Sequence, residues 1–172
     1  EANNGTGDNI SSDPVIYAAL QGETAQGYSI IHQDRLKAAG LEERAFMVFE
    51  PTPKAKPRAK EMETAGMALQ AAIPVVDAAG VVKGVIYGGV LLNRNHELVD
   101  RVRSIVFRDE PYEGQQLGTV TIFQWDVRVA TNVMKPNGNR AIGTRVSAEV
   151  YDKVLENNES WNDRAFVAER PV

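Results

Sequence analysis

The sequence predicts an α+β fold built on antiparallel hairpins, and two observations carry that prediction. Met67–Leu92 reads MALQAAIPVVDAAGVVKGVIYGGVLL and Gly118–Val133 reads GTVTIFQWDVRVATNV, each an apolar run broken by a turn. Between them, in Asn93–Phe107, Leu98, Val99, Val102, Ile105 and Val106 recur at helical spacing, as on one face of an amphipathic helix. Two strands, a helix and two more strands, with few catalytic residue types among them, suggest a module that recognises and transmits.

Each element has a local reason. Residues 1–12 are polar and rich in Gly and Asn, a lead-in without regular structure. Asp13-Pro14 supplies an N-cap and a first-turn proline for a helix over Pro14–Gln21, which Gly22 ends. Tyr28–Ile31 predicts a short strand, Asp34–Ala39 a helical turn closed by Gly40, and Ala45–Phe49 another strand stopped by Pro51 and Pro53. Pro51–Lys60, PTPKAKPRAK, is a solvated loop by composition, or a contact site for an acidic partner or anionic lipid.

Leu69–Val76 and Val81–Leu92 form a hairpin through Asp77-Ala78-Ala79-Gly80, and both strands are so apolar that both faces should be covered. Leu117–Gln124 and Val127–Val133 flank a tight corner at Trp125-Asp126. The loop Lys135–Gly143 leads to Ser147, an N-cap for a helix over Ala148–Glu156, and Ala165–Ala168 starts a strand with no partner hairpin after it.

Composition narrows the function. The 172 residues are 43% hydrophobic and 24% charged, a globular composition and enough chain for a substantial core. A net charge of −4 gives no footprint for nucleic acid. With no cysteine, thiolate catalysis, disulfides and cysteine-held metals are excluded. The longest apolar run, Gly84–Leu92, is nine residues and too short to span a bilayer, and no signal peptide is evident, so any membrane anchors are expected outside this chain.

Catalytic motifs fail one by one. His96-Glu97-Leu98-Val99-Asp100 has Asp100 where a zinc helix needs its second histidine, and His32 is distant in sequence. Neither a nucleophile elbow nor a phosphate loop occurs. No metal, no cofactor and no catalytic activity are therefore expected.

A small-anion site is the better candidate. Arg145 lies two residues before the Ser147 cap, so a guanidinium and unpaired helix N–H groups converge there. Thr131 and Asn132 at the end of the preceding strand add neutral donors, and Arg94 at the start of the linking helix follows the same logic. Tyr87, in the second strand of the first hairpin, completes the set. The competing reading makes Arg145 and Arg94 surface or structural arginines paired with nearby acids.

The segments GTVTIFQWDVRVATNV, GNRAIGTRVSAEVYDKVLE and RAFV resemble the second half of tandem Cache-type sensor regions. These are PAS-like extracytoplasmic domains of bacterial methyl-accepting chemotaxis proteins and sensor histidine kinases. AAIPVVDAAGVVKGVIYGGVLLNRNHELVDRV resembles the closing hairpin of a first Cache unit with the helix into the next, and GDNISSDPVIYAALQGE resembles the segment after that unit's opening hairpin. The resemblance implies an antiparallel PAS-like sheet of about five strands flanked by helices. Residues 1–92 would be the C-terminal part of one Cache unit and 93–172 the N-terminal part of a second.

Both units lack strands of the family pattern, so Val120–Gln124 is expected to pair with Val82–Val90, within one chain or across a swapped dimer. The implied function is small-molecule sensing, of a carboxylate for instance, in the periplasmic part of an inner-membrane receptor that acts as a homodimer. The alternative is a structural or dimerisation module of such a receptor without its own ligand.

Overall fold

The computed structural model describes residues 9–108, 111–112, 115–162, 166–167 and 170–171. The chain divides into two compact units, Glu1–Phe46 with Thr64–Asn93, and Met47–Glu63 with Arg94–Val172. The segment 47–63 thus belongs with the second unit, although the first unit flanks it in sequence on both sides.

The first unit opens with α1 (Pro14–Leu20), capped as its sequence demands, since the Asp13 carboxylate accepts from the Val15 amide at 3.1 Å. Then follow β1 (Ala25–Ile31), α2 (Gln33–Ala38) and α3 (Glu42–Ala45). The strand expected over Ala45–Phe49 is displaced, because Ala45 closes α3 and only β2 (Met47–Val48) is extended. After β3 (Met62–Glu63), which pairs with β2 in the second unit, the chain returns for β4 (Gly66–Val76) and β5 (Val82–Leu91).

β1, β4 and β5 form a three-stranded antiparallel sheet in that order. The β4–β5 turn is built by Asp77, whose side chain accepts from the Ala79 and Val81 amides at 3.0 and 2.9 Å, and by Gly80 at φ 81°. Burial alternates along β1 and β4: Ile31, Ala68, Ala72 and Leu91 are covered by α1 and α2, while the opposite side is open. The expectation that both faces would be covered fails here, with Leu69 55% and Ile86 67% exposed.

In the second unit α4 (His96–Phe107) begins at Asn95, whose side chain accepts from the Leu98 amide at 3.1 Å. Its buried residues are Val99 and Arg103, whereas Ile105 and Val106 are exposed, so the apolar stripe read from the sequence is only partly used. The pairs β6 (Pro111–Tyr112) with β7 (Gln115–Gln116), and β8 (Thr121–Gln124) with β9 (Val127–Thr131), follow. All five residues of β9 are buried, and Val127 and Val129 meet Met47 in the core of this unit.

Ser147 caps α5 (Ala148–Val150), which continues as a π-helical turn, Tyr151–Glu156. β10 (Phe166–Val167) pairs with β11 (Arg170–Pro171), so the last predicted strand does find a partner; residues 165 and 168 of that prediction lie outside the described residues.

The α+β class with antiparallel sheets holds, and the strands are shared out among one three-stranded and four two-stranded sheets rather than a single sheet of about five. The expected pairing of Val120–Gln124 with Val82–Val90 is not among the described strand pairs: β5 pairs with β4 and β8 with β9.

Candidate functional site

β9 enters from the Trp125-Asp126 corner with the sequence Val127-Arg128-Val129-Ala130-Thr131. Segment Gly143–Val146 runs antiparallel beside it: the Arg128 amide donates to the Thr144 carbonyl at 2.9 Å, and the Gly143 amide returns a bond to the Arg128 carbonyl at 3.0 Å. That pairing sets Arg128 and Arg145 along one wall of a cleft of about 530 Å³, within the range of small-molecule sites. Thr52, Phe123, Ser147 and Trp161 also line it.

The two arginines differ in their electrostatics. Asp126, only 2% exposed, accepts from Arg58 Nη1 at 2.7 Å and from Arg145 Nε and Nη2 at 2.7 and 2.6 Å. Arg145 is therefore a partly buried cation paired with an acid, and its backbone N–H is also used, donating to the Thr52 hydroxyl at 3.0 Å.

Arg128 is 7% exposed, and among the described residues no acid is paired with it. Its Nη1 donates to the Thr144 hydroxyl at 2.8 Å, its guanidinium lies 5.4 Å from the Phe123 ring centre, and among the described residues its Nε has no partner. Burial alone pushes its pKa down to about 10. Among the described residues Lys54, Arg128 and Arg145 line the cleft with one acid, Glu149.

The proline-rich segment forms the second wall. It is a loop with six of its ten residues exposed, as its composition predicts, and some of its basic residues are also used inside this unit. The Lys54 carbonyl accepts from the Ala148 amide at 2.7 Å, and Arg58 reaches Asp126. Lys56 pairs with Asp152 and Glu156 and lies 4.5 Å from the Tyr151 ring centre, and those two acids raise its pKa to about 12. Residues 52–54 thus strap the cleft to the start of α5 and the π-helical turn.

Of the five residues singled out from sequence, Arg145 lines this cleft. Thr131 is buried in β9, where its hydroxyl bonds Thr121 Oγ1 at 2.7 Å and accepts from the Val133 amide at 3.0 Å. Asn132 accepts from the Val120 amide at 2.7 Å and lines a separate, open depression. Beside it Asp100 accepts a two-pronged bond from Arg140 at 2.8 and 2.7 Å, and that guanidinium also donates to the Thr131 carbonyl at 2.8 Å.

Arg94 is exposed at φ 55° in the turn before α4, and its amide donates to the Val129 carbonyl at 2.8 Å. Tyr87 lies in the first unit, in a cleft of about 310 Å³. Two polar residues of that cleft are engaged: Asp13 accepts from Gln70 Nε2 at 3.1 Å and from Arg35 Nη1 at 3.4 Å. Sequence reasoning missed Arg128 and Asp126. The available signal was a charge inside the apolar run VRVA, a position that a hairpin buries.

Among the described residues no group of three His, Cys, Asp or Glu side chains could hold a metal. His32 pairs with Asp34 at 3.2 Å on the surface, with both side chains more than three-quarters exposed.

The family model of single Cache domain 3 matches residues 90–172, just under half of the chain and most of the second unit. Residues 90–172 are thus similar to the Cache family. Cache domains are PAS-like and extracytoplasmic, and they suggest small-molecule sensing in receptors. The cleft around Arg128 is built mainly from this Cache-like segment, with its strap supplied by residues 52–54. No curated relative and no solved structure matches the chain. No helix among the described residues is long and apolar enough to cross a membrane.

Proposed function

We propose that this chain senses a small carboxylate through the Arg128 cleft, as a non-catalytic periplasmic part of a transmembrane receptor with a chemotaxis or histidine-kinase output. The observation that carries the reading is a buried guanidinium without a counter-ion among the described residues, lining a cleft that is open to a ligand. A buried charge of this kind is costly alone and becomes favourable when an anion pairs with it. The aromatic rings of Phe123 and Trp161 suit the apolar part of such a ligand, and the hydroxyls of Thr52 and Ser147 suit its remaining polar atoms.

Transmission would run through β9. Arg128 is on this strand, and the Thr131 carbonyl on the same strand is held by Arg140, which grips Asp100 of α4. A ligand that draws Arg128 and the 52–54 strap together favours one arrangement of β9 against α4. The shift can be no larger than the ligand's difference in affinity for the two arrangements, about 1–3 kcal/mol for typical couplings.

The paired state of Arg145 supports the second reading, a structural module without a ligand. Thermal unfolding across a panel of small mono- and dicarboxylates separates the two. Saturable stabilisation that vanishes in Arg128→Met supports sensing, and no response across the panel supports the structural module. At 100-fold excess over Kd the stabilisation is about 2.7 kcal/mol.

A further inference from the structure

The segment between Glu50 and Arg58 is anchored at both ends. At its start the Glu50 amide donates to the Gly143 carbonyl at 3.0 Å, and the Glu50 carboxylate accepts from Lys135 at 2.6 Å. At its far end Arg58 reaches Asp126 at 2.7 Å. Pro51, Pro53 and Pro57 stiffen the chain between these anchors. Residues 52–54 form a wall of the Arg128 cleft, and Lys54 stands there at φ 66°. A side chain in that left-handed region is strained, and the strain persists only while the surroundings hold it.

Lys56 supplies that hold. Its Nζ is shared by Asp152 and by Glu156, 2.8 Å from the latter, and lies 4.5 Å from the Tyr151 ring centre. The two acids sit four residues apart on the π-helical turn, where like charges repel, and one ammonium between them relieves the repulsion. They raise the Lys56 pKa to about 12, so the clasp is fully charged at neutral pH. Turns of this π-helical kind are rare and gather at functional sites.

We propose that Lys56 is the latch of a gate: while it clasps Asp152 and Glu156 the 52–54 wall stays against the cleft, and on release the wall swings out and admits the ligand. The inference concerns the regulation of the Arg128 site and rests on the carboxylate reading for the ligand alone, because the gate can be read with none present. Opening gives up the bonds of Thr52 and Lys54 to the Arg145 and Ala148 amides, which water replaces, and relieves the strain at Lys54. The latch side chains are 30%, 50% and 54% exposed, so dissolved ions screen them and the gate opens as ionic strength rises.

Trp161 lines the cleft and is the single tryptophan in a Trp125→Gly background, so its quenching by acrylamide, a neutral probe, measures the gate. Lys56→Met is expected to steepen the quenching about threefold, the effect of losing an exposed ion-pair network, with circular dichroism unchanged. Raising sodium chloride from about 10 mM to about 1 M should steepen it where Lys56 is present and leave Lys56→Met unmoved. Lys56→Glu should quench as steeply as Lys56→Met, and the full reversal Lys56→Glu/Asp152→Lys/Glu156→Lys should restore the shallow slope. The salt arm decides the question if a latch variant fails to fold. Equal quenching with and without Lys56, a slope that ignores salt, or a reversal that restores nothing overturns the proposal. A gate that passes these tests in a protein that answers no carboxylate supports the latch and removes the ligand reading alone.

Discussion

Replacing Arg128 by Met should make the ligand-free protein more stable while it removes ligand binding. In the folded chain, burial holds this guanidinium near pKa 10, well below its ordinary value. At about 1.4 kcal/mol per pH unit that corresponds to a penalty of about 3 kcal/mol. Because the folded pKa is the lower one, the penalty is fully present below about pH 10 and is relieved only as pH rises above it toward the ordinary arginine value.

Methionine keeps length and contact with the Phe123 ring, and it loses the bond to the Thr144 hydroxyl, roughly 1.5 kcal/mol. Thr144 still donates to the Ala141 carbonyl at 2.8 Å, so no polar atom is stranded. The balance is a gain of about 1.5 kcal/mol, or roughly 3–6 °C in Tm for a chain of this size. Urea and thermal unfolding at pH 7 without ligand measure it. An anion that pairs with Arg128 recovers most of the 3 kcal/mol, so the same substitution should weaken carboxylate binding about 100-fold. A variant destabilised by more than about 2 kcal/mol, with carboxylate response intact, would refute the reasoning and make Arg128 a structural residue.

Asp126→Asn removes the buried carboxylate that bridges Arg58 and Arg145, and should cost about 3–5 kcal/mol by urea unfolding; a loss under about 1 kcal/mol contradicts the bridging role. Trp125 occupies φ 56° at the first position of its two-residue turn, where glycine is favoured, so Trp125→Gly should raise stability by up to about 1 kcal/mol. The Arg140 guanidinium lowers the Asp100 pKa below its ordinary 3.8. The stability it contributes is therefore present above about pH 3.8 and lost as pH falls through the lower folded value. The slope of Tm against pH in that acid window should flatten in Arg140→Gln, and an unchanged slope would remove the pair from the account.

What the sequence made legible is local. The Asp13-Pro14 start of α1, the Asp77–Gly80 turn, the Trp125-Asp126 corner and the Ser147 cap each depend on side chains within a few residues of the backbone groups they satisfy. The site itself depends on separations that no local pattern encodes. Arg58 reaches Asp126 across 68 residues, and the Arg145 amide reaches Thr52 across 93.

The basic loop is therefore legible as a solvated loop, while its partners are not. The α4 stripe misled for a related reason: Arg103 is buried and donates to the Leu117 carbonyl at 3.2 Å, so tertiary contact and not periodicity decides which side turns inward. In β4 and β5 an all-apolar strand implied two covered faces, yet one face is open. Arg145 was chosen for a guanidinium beside a helix start, and only the fold reveals that Asp126 pairs with it while Arg128 has no paired acid among the described residues.

The central claim is that a carboxylate enters the Arg128 cleft, and Trp161 provides a direct report. It lines the cleft, whereas the other tryptophan, Trp125, is 65% exposed on the corner. In a Trp125→Gly background, indole emission on titration with small carboxylates reads the site alone. The account predicts a saturable change for at least one of them that disappears when Arg128→Met is added. A flat response across the panel, or an equal response without Arg128, would contradict it.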